Sequence, residues 1–446
     1  MEDPSGRGSS RALIRGRIAD PRLLPWIAAL LFFVLLGGTE LAVTGTLLRA
    51  LDALLGGVLI WIWVHGLRID ADRLDRLALL ALIGFLLACA VSSVPRASFD
   101  AGVAATAYVA AFYFARRILA RSDARAMLLG ILAGLSLGVS VSFTLAWSLT
   151  WLDWLRLTDF RTLPLTDLPL RAAAYRHPQV IGMLVALLLP APLVVLRAGP
   201  AAARILAALA VVCSLAVVVV SGSRTTWLAA VVALAVPAAL AIRARVERPR
   251  VGWRAVTVVI VAGLVIGGAL VVWSPGAVGG VVERLTDTAT LGARGRIWGS
   301  SLGTWLDHPL TGSGPGTFVI SLGTSGFYDE SPFTPRHADN ALIQLLGEGG
   351  ALATVLVLVA CGGWVAAVFR APATAGSLGA AWAVTLFLLA SLGDNPTDTA
   401  YLVGILVVWA AFAAPGRAGG SAVARGRLAP GHGASRVTRA LGVASV

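Results

Sequence analysis

Long apolar runs separated by short polar connections dominate this chain. Runs of about 17 to 25 residues recur from Leu23 to Ala414, and a run of that length can cross a bilayer core of roughly 30 Å as a helix. Charged residues make up only 13% of the 446 residues, too few to coat a soluble fold of this length. The sequence therefore predicts an all-α, polytopic transmembrane helical bundle. Soluble enzymes, secreted disulfide scaffolds and disordered tail proteins are excluded.

The apolar runs predict about twelve spans. Their expected positions are 23–43, 51–67, 77–94, 101–119, 126–152, 180–196, 205–221, 227–242, 255–273, 341–369, 377–392 and 400–413. The predicted organisation is a cytoplasmic Arg-rich tail (1–22), nine spans (23–273), an extracytoplasmic loop (274–340), three spans (341–414) and a cytoplasmic tail (415–446).

The distribution of arginines predicts the orientation. All 36 basic residues are arginines, and with both termini inside, 25 fall in inner segments and 11 in outer ones. Basic residues collect on the cytoplasmic side, so we expect both termini in the cytoplasm and a multi-pass protein of the cytoplasmic (inner) membrane. The net charge of +13 would suggest nucleic acid in a soluble chain. Here the arginines flank apolar runs, and no nucleic-acid partner is predicted.

The longest predicted loop, 274–336, is expected to form an ordered outer cap. Apolar residues show helical spacing over Val281–Leu285 and Ile297–Leu306. Trp298 and Trp305 suit the membrane–water interface. We therefore expect a short amphipathic helix that lies over the outer mouth of the bundle.

Two arginine-bearing segments on the predicted outer side are candidate anion sites. In the turn Ser221–Trp227, Arg224 offers a fork of five donors and Ser223 a hydroxyl, both suited to phosphate oxygens. Arg294 and Arg296 are predicted to open the loop helix, where positive charge opposes the helix dipole unless an anion lies between. The simpler alternatives are an arginine that snorkels to the interface at Arg224 and solvated loop arginines at the second segment.

The segment Asp307–Phe318 predicts a tight turn after a helix. Pro309 ends the helix, and three glycines in five residues follow. Such a turn either has a purely structural role or forms an anion-binding nest around Gly314 and Gly316.

A group of ionisable and amide side chains lies where the tenth span begins. His337 is a candidate general base oriented by Asp339, or Asp339 is itself the base. Asn340 follows directly, and Glu348 lies deeper in the span, where an ionisable group is a functional candidate by default. The alternative for His337 is an interfacial hydrogen-bonding residue.

Together these segments resemble the O-antigen ligase family, which includes the O-antigen polymerases. The resemblance covers about residues 221–358 and rests on three motifs, with the predicted layout of spans and outer loop in agreement. The motifs are the S-G-S-R turn, the W-x-D-H-P-L-x-G-x-G-P-G-x-F stretch from Trp305 to Phe318, and the H-x-D-N-x-x-x-Q-x-x-x-E-x-G helix start from His337 to Gly350.

The resemblance implies glycosyl transfer from a polyprenyl-diphosphate-linked glycan to an acceptor hydroxyl on a glycan or lipid, at the outer face of the membrane. It also implies a reaction without metal, nucleotide or other cofactor. Arg224 and Arg296 would correspond to the family's essential arginines, which hold the diphosphate leaving group. The family's histidine stands immediately before the Asn, a place occupied here by Asp339, so His337 and Asp339 both stay candidate bases.

Further residues are expected to contact the substrates, and no metal site is predicted. The predicted substrate-binding residues are Ser223, Arg294, Arg176, His177, Gly314, Gly316, Asn340 and Glu348. The three cysteines lie inside apolar runs, with a spacing that suits neither a metal site nor a disulfide framework. They are expected to be buried and inert.

Two alternatives stay open beside a ligase. A polysaccharide polymerase of the same family would use the same donor chemistry and the same residues. A transporter or flippase, for a lipid-linked glycan or a small solute, would be expected to show paired repeats or ionisable groups near mid-membrane in both halves. The candidate groups here gather at one face instead, which favours surface chemistry over translocation.

Overall fold

The structure, a computed structural model, describes residues 72–120, 122–157, 178–199, 201–247, 289–324, 335, 337–372, 374–396 and 400–413. Within these ranges the long regular elements are all helices, as the composition predicts. They are α1 (Arg73–Ala90), α2 (Pro95–Ile118), α3 (Ser122–Leu157), α4 (Pro178–Leu188), α5 (Pro190–Ala198), α6 (Ala201–Val220), α7 (Arg224–Glu247), α8 (Ala289–Asp307), α9 (Phe318–Thr324), α10 (Ala341–Arg370), α11 (Ala375–Ala390) and α12 (Ala400–Ala413).

Five helical segments in the described part of the chain are long and apolar enough to cross a membrane. They are Ala124–Arg156, Val180–Arg197, Ala201–Val220, Arg224–Ala241 and Ala341–Arg370. Helical membrane architecture is thereby confirmed. The number of twelve spans stays a prediction, because the first, second and ninth expected spans, together with both tails, lie outside the described residues.

The predicted sixth span consists of two helices, the second of which begins with a proline. Helix α4 ends at Leu188, and α5 begins at Pro190. Proline has no N–H to donate and its ring clashes with the preceding turn, but both features are harmless at the first position of a helix. The chain therefore stays helical across the span while its backbone hydrogen bonds are interrupted.

The described helices form two compact units. The first contains α1, α2, most of α8, α9, α10 and α12. In it α1 packs against both α2 and α10, and α12 packs against α2. A side chain at Gly84 or Gly363 would overlap Leu356 or Leu77, respectively. These two glycines therefore allow α1 and α10 to approach closely.

An ion cluster ties the start of α1 to the end of α2 in this unit. Asp72 caps α1 by accepting the N–H groups of Leu74 and Asp75. The Arg116 guanidinium is 1% exposed and bonds both the Asp72 and Asp75 carboxylates. Burial raises the pKa of the Asp72 carboxyl, but the hydrogen bonds from Arg116 and from the two N–H groups outweigh it and hold that pKa at about 2.

The second unit contains α3 from residue 129 onward, α4 to α7 and α11. Helix α7 packs against α11, and α6 packs against α4 and α5. Phe143, Val185 and Val217 form a buried cluster at the centre of α3, α4 and α6. Trp382 of α11 donates its indole N–H to the Ala186 carbonyl of α4 over 2.8 Å.

Candidate functional site

Helix α10 is broken one third of the way along its length. Gly350 has φ 64° and ψ −174°, a conformation that is essentially restricted to glycine. The break frees the next two amides from the helical ladder. Ala351 donates to the Pro309 carbonyl over 2.9 Å, and Leu352 donates to the Leu310 carbonyl over 3.1 Å.

The carbonyls that these amides would have bonded within the helix are taken by the Gly-rich turn. Ser313 donates its N–H to the Gly347 carbonyl over 3.0 Å, and Gly314 donates to the Glu348 carbonyl over 2.8 Å. Four hydrogen bonds between the turn and α10 thus replace the missing helical ones. The turn after α8 is therefore hydrogen-bonded to the backbone of the tenth predicted span at the break.

The glycines of this turn allow it to pack closely against neighbouring parts of the chain. Gly312, Gly314 and Gly316 all have positive φ, of 68°, 107° and 79°, which confirms the predicted tight turn. A Cβ at Gly314 would overlap the side chain of Ser92, in the turn between α1 and α2, and that of Ser98 in the first turn of α2. Because the Gly314 N–H is already donated to α10, these contacts support the structural interpretation. Substrate binding by Gly314 and Gly316 stays a prediction.

Residues 337–340 form a segment before α10 that has a strained backbone and is fixed by hydrogen bonds. Asp339 has φ 52°, the only positive φ of a non-glycine residue in the described chain. Its Oδ1 lies 3.0 Å from Nδ1 of His337. Between them, the Ala338 carbonyl accepts the indole N–H of Trp298 over 2.7 Å. Strain of this kind persists where the surroundings over-determine the backbone, and it is frequent at functional sites.

Asn340 caps the start of α10 and also bonds the segment after α11. Its Oδ1 accepts the N–H groups of Leu342 and Ile343, which makes it the N-cap. Its Nδ2 donates to the Leu392 carbonyl over 3.0 Å, and the Ala341 amide donates to the Ser391 carbonyl over 2.9 Å. The predicted contact of Asn340 with substrate would therefore have to compete with this capping role.

Asp394 is a third ionisable group at this place, and sequence reasoning missed it. A ligand atom from each of His337, Asp339 and Asp394 lies within 4.8 Å of the others, and all three side chains are half-buried. The sequence does not predict this cluster, because Asp394 stands far from the other two residues along the chain. The one local feature that could have drawn attention to Asp394 is the D-N-P sequence, a polar sequence in the short segment between two apolar runs. The three groups are of types that could hold a divalent cation or share a proton.

Glu348 joins the ionisable cluster to the Gly-rich turn. Its Oε1 accepts the N–H of Phe318, the first residue of α9, over 2.7 Å, and its Oε2 lies 3.4 Å from Nε2 of Gln344. The Gln344 Oε1 in turn accepts from the Ala338 amide and from Nδ2 of Asn395. The H-x-D-N motif and the G-x-G-P-G motif therefore meet in one hydrogen-bonded network.

The helix that carries Arg294 and Arg296 begins earlier than predicted. It starts at Ala289, so both arginines lie beyond its first turn. The prediction that they open the helix is therefore wrong, and so is the argument that an anion must offset the dipole there, because the dipole acts within the first turn. Arg296 is exposed beside Ile297, whose side chain is buried against Phe318 and Ala338.

Arg224 and Ser223 lie in the second unit. Ser223 caps α7, because its Oγ accepts the Thr226 N–H over 3.1 Å, and Arg224 is half-buried at the first helical position. The Ser223 hydroxyl therefore already has a structural partner. The predicted contacts Arg176 and His177 lie outside the described residues, as does Val281–Leu285.

Comparison with known families agrees with these motifs. Residues 209–358 match the family model described as O-antigen ligase. The matched part includes the turn at Arg224, helix α8, the Gly-rich turn and the first half of α10. A search of the curated proteins found no match for the chain.

Proposed function

Because residues 209–358 place this membrane protein in the O-antigen ligase family, we propose that it transfers a glycan from a polyprenyl-diphosphate donor to an acceptor hydroxyl. We place the reaction at the outer face of the cytoplasmic membrane, where lipid-linked donors are available and nucleotide sugars are not. The observation that carries the proposal is the hydrogen-bonded network, within the matched segment, that joins Glu348 to the Gly-rich turn and, through Gln344, to the backbone amide between His337 and Asp339.

The leaving group of this reaction is a diphosphate, which needs positive charge as the anomeric C–O bond breaks. Arginine supplies a charge that does not titrate and a planar fork that fits phosphate oxygens. We assign this role to Arg224 and Arg296. Such electrostatic stabilisation does not require a metal.

The new bond forms between the acceptor oxygen and the anomeric carbon, and the acceptor proton must be removed. A sugar hydroxyl has a very high pKa, so a positioned base contributes when the proton is lost in the transition state. Oδ1 of Asp339 lies 3.0 Å from Nδ1 of His337, close enough for the carboxylate to stabilise the imidazolium that forms when His337 acts as the base. Asp339 as the base itself is the alternative, and the acceptor attacks with inversion in either case.

The test uses protein purified in detergent with a polyprenyl-diphosphate-linked oligosaccharide. It scores the release of free polyprenyl diphosphate with and without candidate acceptors. Acceptor-dependent release is expected, and Arg224→Ala or Arg296→Ala should lower it by at least about a hundredfold, the usual cost of losing a main transition-state contact. Arg96→Ala is the matched control, because Arg96 is exposed and lies on the same predicted outer side.

The outcomes separate the candidate functions. Wild-type release in both arginine variants would remove the diphosphate role of these residues. A productive acceptor that is itself a lipid-linked glycan would identify a polymerase, and any other would identify a ligase. No release with any acceptor, combined with movement of the lipid or a solute across liposomes, would make the protein a transporter.

A further inference from the structure

One side-chain amide lies between the two chain segments that carry the ionisable cluster. The Oε1 of Gln344 accepts the Ala338 N–H over 3.1 Å and the Nδ2 of Asn395 over 2.7 Å. Ala338 lies between His337 and Asp339, and Asn395 directly follows Asp394. We propose that Gln344 is a positioning residue that sets the geometry of His337, Asp339 and Asp394 for the proposed transfer.

Two other contacts join these segments where α10 begins. The Ala341 amide and the Asn340 side chain bond the carbonyls of Ser391 and Leu392, which fixes the backbone where α10 begins. Gln344 bonds the N–H between His337 and Asp339 on one segment and the side chain that follows Asp394 on the other. A shift of its oxygen would therefore move both segments at the cluster while leaving the start of α10 in place.

The partners of Gln344 also define which way its amide faces. Two donors surround the oxygen, and the nitrogen faces the Glu348 carboxylate at 3.4 Å. A flipped amide would set its N–H groups against two donors and its oxygen against a carboxylate. The amide thus has one favourable orientation, which is what a positioning group requires.

The backbone at Asp339 needs such support. Its φ of 52° is unfavourable for a residue with a Cβ, and relaxation would turn the carboxylate away from its 3.0 Å contact with His337. The Gln344 bond to the preceding amide opposes that relaxation. Because a misplacement of about 1 Å at a reacting group can lower a rate about a hundredfold, loss of this bond should affect the chemical step most.

The experiment compares Gln344→Met with Gln344→Glu. Methionine keeps the length of the side chain but loses the acceptor, so kcat should fall about tenfold to a hundredfold while KM for the donor changes less than about threefold. Glutamate keeps an acceptor oxygen but sets a second carboxylate against that of Glu348, so Gln344→Glu should lower kcat as well. Thr354→Val is the matched control, because it removes a buried 2.6 Å hydrogen bond from the same helix and should leave kcat unchanged.

A double-variant cycle tests whether Gln344 and Asn395 act through the same contact. Asn395→Ala should lower kcat in the same sense as Gln344→Met, and the double variant should be little worse than the more impaired single one. Wild-type kcat in Gln344→Met, an equal loss in Thr354→Val, or effects that multiply in the double variant would each overturn the inference.

A second readout does not depend on activity, because the inference rests on the proposed function. Modification of histidines by diethyl pyrocarbonate, read by mass spectrometry, reports the exposure of each ring. His337 is half-buried and His308 exposed, so Gln344→Met should raise the reactivity of His337 relative to that of His308. An unchanged ratio would refute the positioning role. Absence of transfer in the wild type would instead refute the proposed function.

Discussion

Replacement of Gly350 by alanine tests the interlocking of the Gly-rich turn with α10. The residue has φ 64° and ψ −174°, and a Cβ there would overlap the carbonyl of Leu310 and the amide nitrogen of Thr311. These are backbone atoms, so no change of rotamer can relieve the clash. The turn would have to move away from the helix.

The expected destabilisation has two parts. The backbone conformation alone disfavours alanine by about 1–3 kcal/mol. Separation of the turn would also remove the four hydrogen bonds that join it to α10, each contributing about 1 kcal/mol net. The total is of the order of 5 kcal/mol, a large fraction of the 5–15 kcal/mol that typically stabilises a folded protein.

The assay is thermal unfolding of the purified protein in detergent. At roughly 2 °C per kcal/mol for a chain of this size, Gly350→Ala should lower the midpoint by about 10 °C and abolish transfer. Gly299→Ala is the control, since in the described part of the chain no atom beyond the adjoining turns of its own helix lies within 4 Å of the Cβ position. It should leave the midpoint unchanged or raise it slightly. A midpoint within about 2 °C of wild type in Gly350→Ala would refute the interlocked geometry.

Three further predictions concern charged groups. His337→Gln and Asp339→Asn, assayed separately, should identify the base as the variant with the larger loss of kcat, and full activity in both would direct attention to Glu348. EDTA should leave transfer unchanged, because the arginines carry the charge of the leaving group; inhibition reversed by a divalent ion would show that the His337–Asp339–Asp394 cluster holds a cation. The Asp72 carboxyl, whose pKa lies at about 2 rather than 3.8, stabilises the fold above about pH 4, and this contribution is lost as the pH falls towards 2. The midpoint of thermal unfolding should therefore fall less for Asp72→Asn than for the wild type when the pH is lowered from 5 to 2.5.

The helices were the most predictable part of this protein. The apolar runs predict helices α3, α6, α7 and α10 because a chain in a bilayer must satisfy its backbone hydrogen bonds internally. The end of α8 near Pro309, the tight turn of three glycines and the start of α10 after Asn340 also follow from local chemistry. Each of these features depends on residues within a few positions of one another.

The break at Gly350 did not follow from the sequence. Glycines are common in membrane helices, so the pair at 349–350 does not by itself predict an interruption. What makes the break favourable is the Gly-rich turn, which supplies two donors and two acceptors to the opened helix. That exchange depends on contacts between distant parts of the chain.

The sequence by itself determined the membrane class, the motifs and the residue types that suit diphosphate and proton transfer. Only the tertiary structure brought Asp394 to His337 and Asp339, gave Glu348 the amide of Phe318 as a partner, and placed Gln344 between two segments. The physical reason is the range of the interactions. Hydropathy, capping and turn chemistry act along the chain, whereas the ionisable cluster exists because hydrogen bonds between the start of α10 and the segment after α11 hold distant residues together.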